Sequence, residues 1–212
     1  YKSPNDDNGY DISDYEDIME DFGSMKDFDQ LMEEAHRRGI KLIMDLVLNH
    51  TSDEHPWFIE SRSSLDNPKR EWYIWADGKN GAEPNNWESI FSGSAWEWDE
   101  ATKQYYLHLF SPKQPDLNWE NPAVRKALYD MVNRWIDKGI DGFRIDAISH
   151  IKKKPGFPDM PNENKQQYVE CFPYMSNYEG IDVYLREFVD STIKGKDLIT
   201  VGEANGVSLK DI

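Results

Sequence analysis

GFRIDAISH, residues 142–150, follows a helical run and places Arg144 and Asp146 two residues apart. In a strand, alternate side chains point to one face, so a guanidinium and a carboxylate stand side by side. They do so near where the apolar run Ile140 to Ile145 gives out. A carboxylate next to a fixed cation is expected to stay ionised. That suits a nucleophile better than a proton donor. A structural ion pair at a strand end fits this stretch alone equally well.

Two further runs end in the same manner. DLVLNH (45–50) finishes in Asn49-His50, and TVGEAN (200–205) in Gly202-Glu203. In a parallel α/β sheet or barrel, sites are built at the carboxyl ends of the strands. Three such ends, each carrying a residue capable of chemistry, make chance a poor account.

The elements around these runs are legible. Residues 1–22 read as loop, rich in turn formers from Pro4 to Gly9, with Tyr10 and Asp11 following. A helix is predicted over 24–38, capped by Ser24 with Asp27 three residues on, and with Met25, Phe28, Leu31, Met32 and Ala35 as its apolar stripe. Residues 40–48 are almost continuously apolar, as in a strand buried on both faces. Asp45 interrupts them and reads as a structural acceptor, with support of a site as the alternative.

Residues 51–113 crowd tryptophan and tyrosine among Pro, Asn, Gly and Ser, and read as an irregular insertion with short strands at 72–75 and 104–110. Most of its aromatics are expected to form its own core, although such rings also stack on sugars. A helix over 121–138 starts at Asn121-Pro122 and stops at Gly139. Residues 152–176 read as a proline-rich polar loop, 178–194 as a helix and 198–201 as the third strand. Repeated strand–helix units imply a parallel sheet.

Composition narrows the function. The 212 residues are 38% hydrophobic and 13% aromatic, a globular composition. A net charge of −16 argues against nucleic acid and against an anionic membrane, and no apolar run is long enough to span one. An uncharged substrate fits better. One cysteine, Cys171, permits no internal disulfide and fits a reducing compartment. No signal peptide is visible, so a cytoplasmic location is expected, although Tyr1 is no natural start. GxGxxG, Walker, HExxH, CxxC and GxSxG patterns are absent from the sequence, and its five histidines are scattered. No cofactor and no metal are expected.

With these residues in view, the chain resembles the α-amylase family of glycoside hydrolases, in its α-glucosidase and oligo-1,6-glucosidase branch. DLVLNH (45–50), QPDLN (114–118), GFRIDAISH (142–150) and TVGEAN (200–205) match four signature regions in order, and NDDNGYDISDY (5–15) matches the loop after the second barrel strand. The resemblance covers essentially the whole chain. It implies part of a (β/α)8 TIM barrel with an α+β insertion, domain B, after the third strand. The division is then 1–50 barrel, 51–113 domain B and 114–212 barrel. No Asn-His-Asp tripeptide follows Glu203, and three strand runs stand where such a barrel has eight, so a central fragment of a longer enzyme is implied.

By resemblance, Asp146 is the nucleophile and Glu203 the general acid/base. Arg144 partners the nucleophile, and His50 donates to sugar hydroxyls. Asp7 binds the outer hydroxyls of a terminal glucose, and Tyr10 stacks on its ring. Retaining glycosidases need one ionised carboxylate and one protonated one. Glu203 has no basic neighbour in sequence, which allows a raised pKa. The implied activity is exo-acting α-glucosidase on oligosaccharides. Ala147, after the nucleophile, implies α-1,4 preference, where valine accompanies α-1,6 cleavage. A transglycosylase or sucrose isomerase with the same site is one alternative. A non-catalytic amylase-like ectodomain of transporter heavy subunits is another.

Overall fold

The computed structural model describes residues 1–208. The last four residues of the segment 114–212 lie outside the described residues. The opening loop is folded by the buried Asp11 carboxylate, which accepts from Ser3 Oγ and from the Asp6 and Asp7 amides at 2.9, 2.9 and 3.1 Å. Helix α1 (Met25–Arg37) follows, with the reciprocal Ser24–Asp27 capping box in place. Met25 and Phe28 pack on the core, while Leu31 stays exposed.

Strand β1 (Ile43–Val47) then enters the molecule. The expectation of burial on both faces holds only for Leu46, Val47 and Leu48; Ile40 and Ile43 are exposed. The reason is topological. β1, β6 (Gly142–Asp146) and β8 (Ile199–Gly202) form a parallel sheet in that order, so β1 and β8 are edges among the described residues. Ile199 and Val201 on β8 are 58% and 52% exposed. β6, between them, is the buried strand.

Between β1 and β6 the chain builds the insertion. It opens on α2 (Pro56–Ser63), a helix the aromatic-rich sequence concealed because its eight residues bury only Phe58 and Ser61. His55 caps it through Nδ1, which accepts from the Trp57 amide at 3.1 Å, with Pro56 at the first turn. Strands β2 (Trp75–Ala76), β4 (Trp96–Asp99) and β5 (Gln104–Leu107) form an antiparallel sheet in the order β2-β5-β4. Of the predicted strand at 72–75, Trp72 closes a 3-10 turn, Arg70–Trp72, Tyr73 bridges Leu117, and β2 itself starts at Trp75. β3 (Trp87–Glu88) pairs instead with β7 (Val169–Glu170), from the loop predicted as polar.

That loop contributes more than expected. Met160, Cys171 and Met175, the last in the short helix α4 (Phe172–Met175), join Ile74, Trp87, Trp96, Leu107 and Leu109 in a second core. Aromatic side chains of the insertion pack on one another: Phe58 stacks on Trp75 at 5.7 Å and meets Tyr73 and Tyr106 edge-on. They form a core there, as expected of them.

Helix α3 (Pro122–Lys138) starts on the Asn121 cap and ends at Gly139 in the left-handed region. Val124, Leu128, Val132 and Trp135 cover the sheet with Phe143 and Ile145. Helix α5 (Ile181–Thr192) packs beside α3 and adds Ile181, Tyr184 and Phe188 to that core. Gly142 opens β6 where a side chain has no room: a Cβ there would sit 1.9 Å from the Ile199 carbonyl oxygen. Its absence lets β6 and β8 pair, and so brings Asp146 and Glu203 to neighbouring strand ends. No helix among the described residues is long and apolar enough to cross a membrane.

Candidate active site

The parallel register sets Asp45 beside Arg144 and Val47 beside Asp146 on adjacent strands. Glu203 follows β8, its amide donating to the Ile145 carbonyl at 2.9 Å. One guanidinium therefore meets three carboxylates. Arg144 Nη1 lies 2.6 Å from Asp146 Oδ1 and 3.0 Å from Asp45 Oδ1, and Nη2 lies 2.8 Å from Glu203 Oε2. Tyr10 reaches the same cluster: its hydroxyl donates to Asp45 Oδ2 at 3.0 Å, and the Arg144 guanidinium lies 5.7 Å from its ring centre. Asp45 is thus no buried structural acceptor. Its side chain is 42% exposed and ties Tyr10 to Arg144. The alternation that pairs Arg144 with Asp146 applies equally across the strands, which is the signal that could have found it.

His50 and Asp7 form a second group joined to the first through Tyr10. His50 is 1% exposed, and its Nε2 lies 3.1 Å from the Tyr10 carbonyl oxygen. QPDLN runs antiparallel past the end of β1, with Asp116 bridged to His50. Gln114 from it donates through Nε2 to Asp7 Oδ2 at 3.0 Å. Beneath lies a buried set that sequence reading missed. Lys153 Nζ contacts Asp116 Oδ2 at 2.6 Å and Asn49 Oδ1 at 2.8 Å. Gln114 and Asp116 stood in a quoted motif without a role; Lys153 stood in the stretch 152–176, read as a proline-rich polar loop.

The electrostatics reverse the expected order of the two carboxyls. Burial pushes Asp146 up to about 6, outweighing the Arg144 guanidinium, and the Glu203 charge beside it acts in the same direction. Glu203 is shifted down. Its burial would raise it, but the Ala147 amide, Asn205 Nδ2 and Arg144 all favour its ionised form. A carboxylate bonded to several donors holds its charge better than a more buried one beside the same cation. Both carboxyls lie on the one Arg144 guanidinium, and each bears on the ionisation of the other. They act as a pair holding one proton at mildly acidic pH.

Buried imidazoles give the molecule a pH dependence. Burial lowers His50 and His55 from 6.5 to about 4, and shifts His108 and His150 in the same direction. The unfolded chain binds those protons from pH 6.5 downward and the folded chain only at lower pH, near 4 for His50 and His55, so stability falls as pH falls below 6.5. Each drop from 6.5 to about 4 is worth about 3 kcal/mol. Asp146, shifted up, opposes one of them. Urea midpoints are expected to fall steadily between pH 7 and 4.5; a flat profile would mean these imidazoles are not buried neutral.

A cavity of about 540 Å³ lies between the opening loop and β1, lined by Tyr10, Ile12, Phe22, Phe28, Met44 and Asp45 among others. Asp146 and Glu203 do not line it, and it follows the unpaired edge of β1. Among the described residues, no group of three or more His, Cys, Asp or Glu side chains is arranged to hold a metal ion.

Known proteins are similar to this chain in sequence and fold. Residues 1–212 match the family model described as alpha amylase, catalytic domain. The chain is 64% identical over 211 residues to probable oligo-1,6-glucosidase 3 of Bacillus subtilis (strain 168), covering 100% of this chain and 38% of that protein. A crystal structure of trehalose-6-phosphate hydrolase from Bacillus licheniformis superposes with a TM-score of 0.93 at 50% identity, covering 100% of this chain and 37% of that one. A mutant of MutB in complex with the substrate sucrose superposes at a TM-score of 0.89 with 46% identity, over 98% of this chain and 37% of that one. The chain thus spans well under half the length of the proteins it matches. The three parallel strands are part of a (β/α)8 barrel, and the chain belongs to the α-amylase family as a portion of its catalytic domain.

Proposed function

We propose that this chain carries the reacting carboxylates of a retaining, exo-acting α-glucosidase. The observation that supports it most is the single guanidinium of Arg144 bonded to both Asp146 and Glu203 at the ends of adjacent strands. In this reading Asp146 attacks the anomeric carbon and Glu203 protonates the leaving oxygen, then activates water. The proton must first leave Asp146 for Glu203. Both carboxyls lie on the Arg144 guanidinium, and a sugar entering between them separates the pair in its reactive form. Arg144 holds the Asp146 charge once the proton has gone. Asp7, Tyr10 and His50 form the pocket for the terminal glucose, linked by Gln114 and the Tyr10 carbonyl. The 51–113 segment acts as domain B against the barrel segments 1–50 and 114–212.

The linkage follows from Ala147. It is buried, in the left-handed region at φ 46°, and its amide contacts Glu203 Oε2 at 3.3 Å. A larger side chain at this buried position narrows the space beside Asp146. An α-1,4 preference is expected, with kcat/KM higher for maltose than for isomaltose. Ala147→Val is expected to move that ratio toward isomaltose by roughly 10–200-fold, the range of a methylene-scale change in a pocket. A β-branched residue at positive φ also costs stability, about 1–2 kcal/mol, so the ratio and not the absolute rate is the readout. A wild type that prefers isomaltose, as the names of several relatives suggest, sinks the assignment. The likeness to MutB with sucrose favours one second reading, transfer to a sugar acceptor in place of water. Chromatography of products formed from sucrose distinguishes isomers from free glucose and fructose.

A further inference from the structure

His50 touches a partner at each ring nitrogen, and the partners differ in kind. On one side, Nε2 lies 3.1 Å from the Tyr10 carbonyl oxygen, which can only accept. On the other, Nδ1 lies 3.2 Å from Asn49 Nδ2. Whether Nδ1 accepts there depends on which way the Asn49 amide faces, and that orientation is fixed from below. Asn49 Oδ1 takes a hydrogen bond from Lys153 Nζ at 2.8 Å, and an ammonium can only donate. Asn49 Nδ2 donates to Asp116 Oδ2 at 3.1 Å, and a carboxylate can only accept. A flipped amide would set NH2 against ammonium and carbonyl against carboxylate, with all four residues at 6% exposure or less. Its cost in a buried site is prohibitive.

We propose that Lys153 is a positioning residue that fixes the tautomer of His50 through the Asn49 amide. With Oδ1 held by Lys153, Asn49 presents its second N–H to His50 Nδ1, which must be the bare nitrogen. The proton therefore sits on Nε2 and donates to the Tyr10 carbonyl. Gln114 Nε2 also donates to that carbonyl, at 3.3 Å, and to Asp7. Its own orientation is set by the Ser111 amide on Oε1 at 3.1 Å, so its 3.2 Å approach to His50 Nε2 is donor beside donor. The chain of control runs from a lysine after β6, through the end of β1, to the loop that carries Asp7 and Tyr10. In the other tautomer, Nδ1–H would face the Asn49 amide, and the Tyr10 carbonyl would lose a donor.

The test is long-range proton–nitrogen NMR on the whole protein labelled with 15N-histidine, His50 being assigned by its loss in His50→Gln. The wild type is expected to show one His50 form at pH 7, Nε2 bearing the proton, and Lys153→Arg to keep it. Lys153→Met with Asp116→Asn removes the link without leaving a buried charge, and is expected to give a mixture of tautomers. Its KM for maltose is expected to rise about tenfold, the size of one lost hydrogen bond, with kcat changed less. Should that variant fail to fold, Asn49→Ser removes the same link and leaves the Lys153–Asp116 pair. An Nδ1-protonated wild type overturns the proposal, as does a folded variant that keeps a single Nε2–H form. The kinetic arm rests on the sugar-binding reading of the loop, and the spectroscopic arm does not. A shifted tautomer with unchanged KM therefore upholds the role of Lys153 and counts against that reading.

Discussion

Asp146→Asn in the whole protein is expected to lower turnover by several orders of magnitude with the fold intact. An amide of the same shape cannot attack the anomeric carbon, nor offset the positive charge that develops there. The fold should survive because Arg144 keeps two carboxylates, Asp45 and Glu203, when Asp146 is neutral. Asp146 already favours its neutral form below about pH 6, so losing the charge costs the folded state little. Turnover of maltose and of an aryl α-glucoside by the purified variant, with near-ultraviolet circular dichroism as the check on folding, decides the matter. Near-normal rates in a folded variant would remove Asp146 from the nucleophile role.

Glu203→Gln is expected to cost roughly 10²–10⁴-fold on natural substrates, the usual range for a positioned proton donor. The loss in the glycosylation step should be smaller for an aryl glucoside, whose leaving group needs little protonation. The electrostatics add a second signature. The Glu203 charge helps to raise Asp146, so its removal lets Asp146 ionise at lower pH. The acidic limb of the pH profile on the activated substrate should then shift downward. Equal losses on both substrates with an unmoved limb would point away from Glu203 as the acid/base.

The strands and long helices could be read from the sequence because their signals are local. Ser24 and Asn121 cap where they should, Gly139 ends α3, and the run of alternating residues 142–146 sets Arg144 and Asp146 on one face. The protonation order could not be read that way. It depends on how deeply Asp146 is buried and on donors to Glu203 from Ala147 and Asn205, none of which sequence adjacency reports. Lys153 was hidden for the opposite reason, since a run of three lysines looks solvated whichever of them is buried. The pairing of β3 with β7 joins residues about 80 positions apart and leaves no periodic trace.

Among the described residues, the two edges of the three-stranded sheet are not equivalent. One is β1, with Ile43 exposed; the other is β8, with Ile199 and Val201 exposed. An unpaired edge is a template for another strand. In a closed barrel every strand has a neighbour on both sides, so β1 and β8 each take one more strand there, and the exposure of Ile43, Ile199 and Val201 marks those two seams.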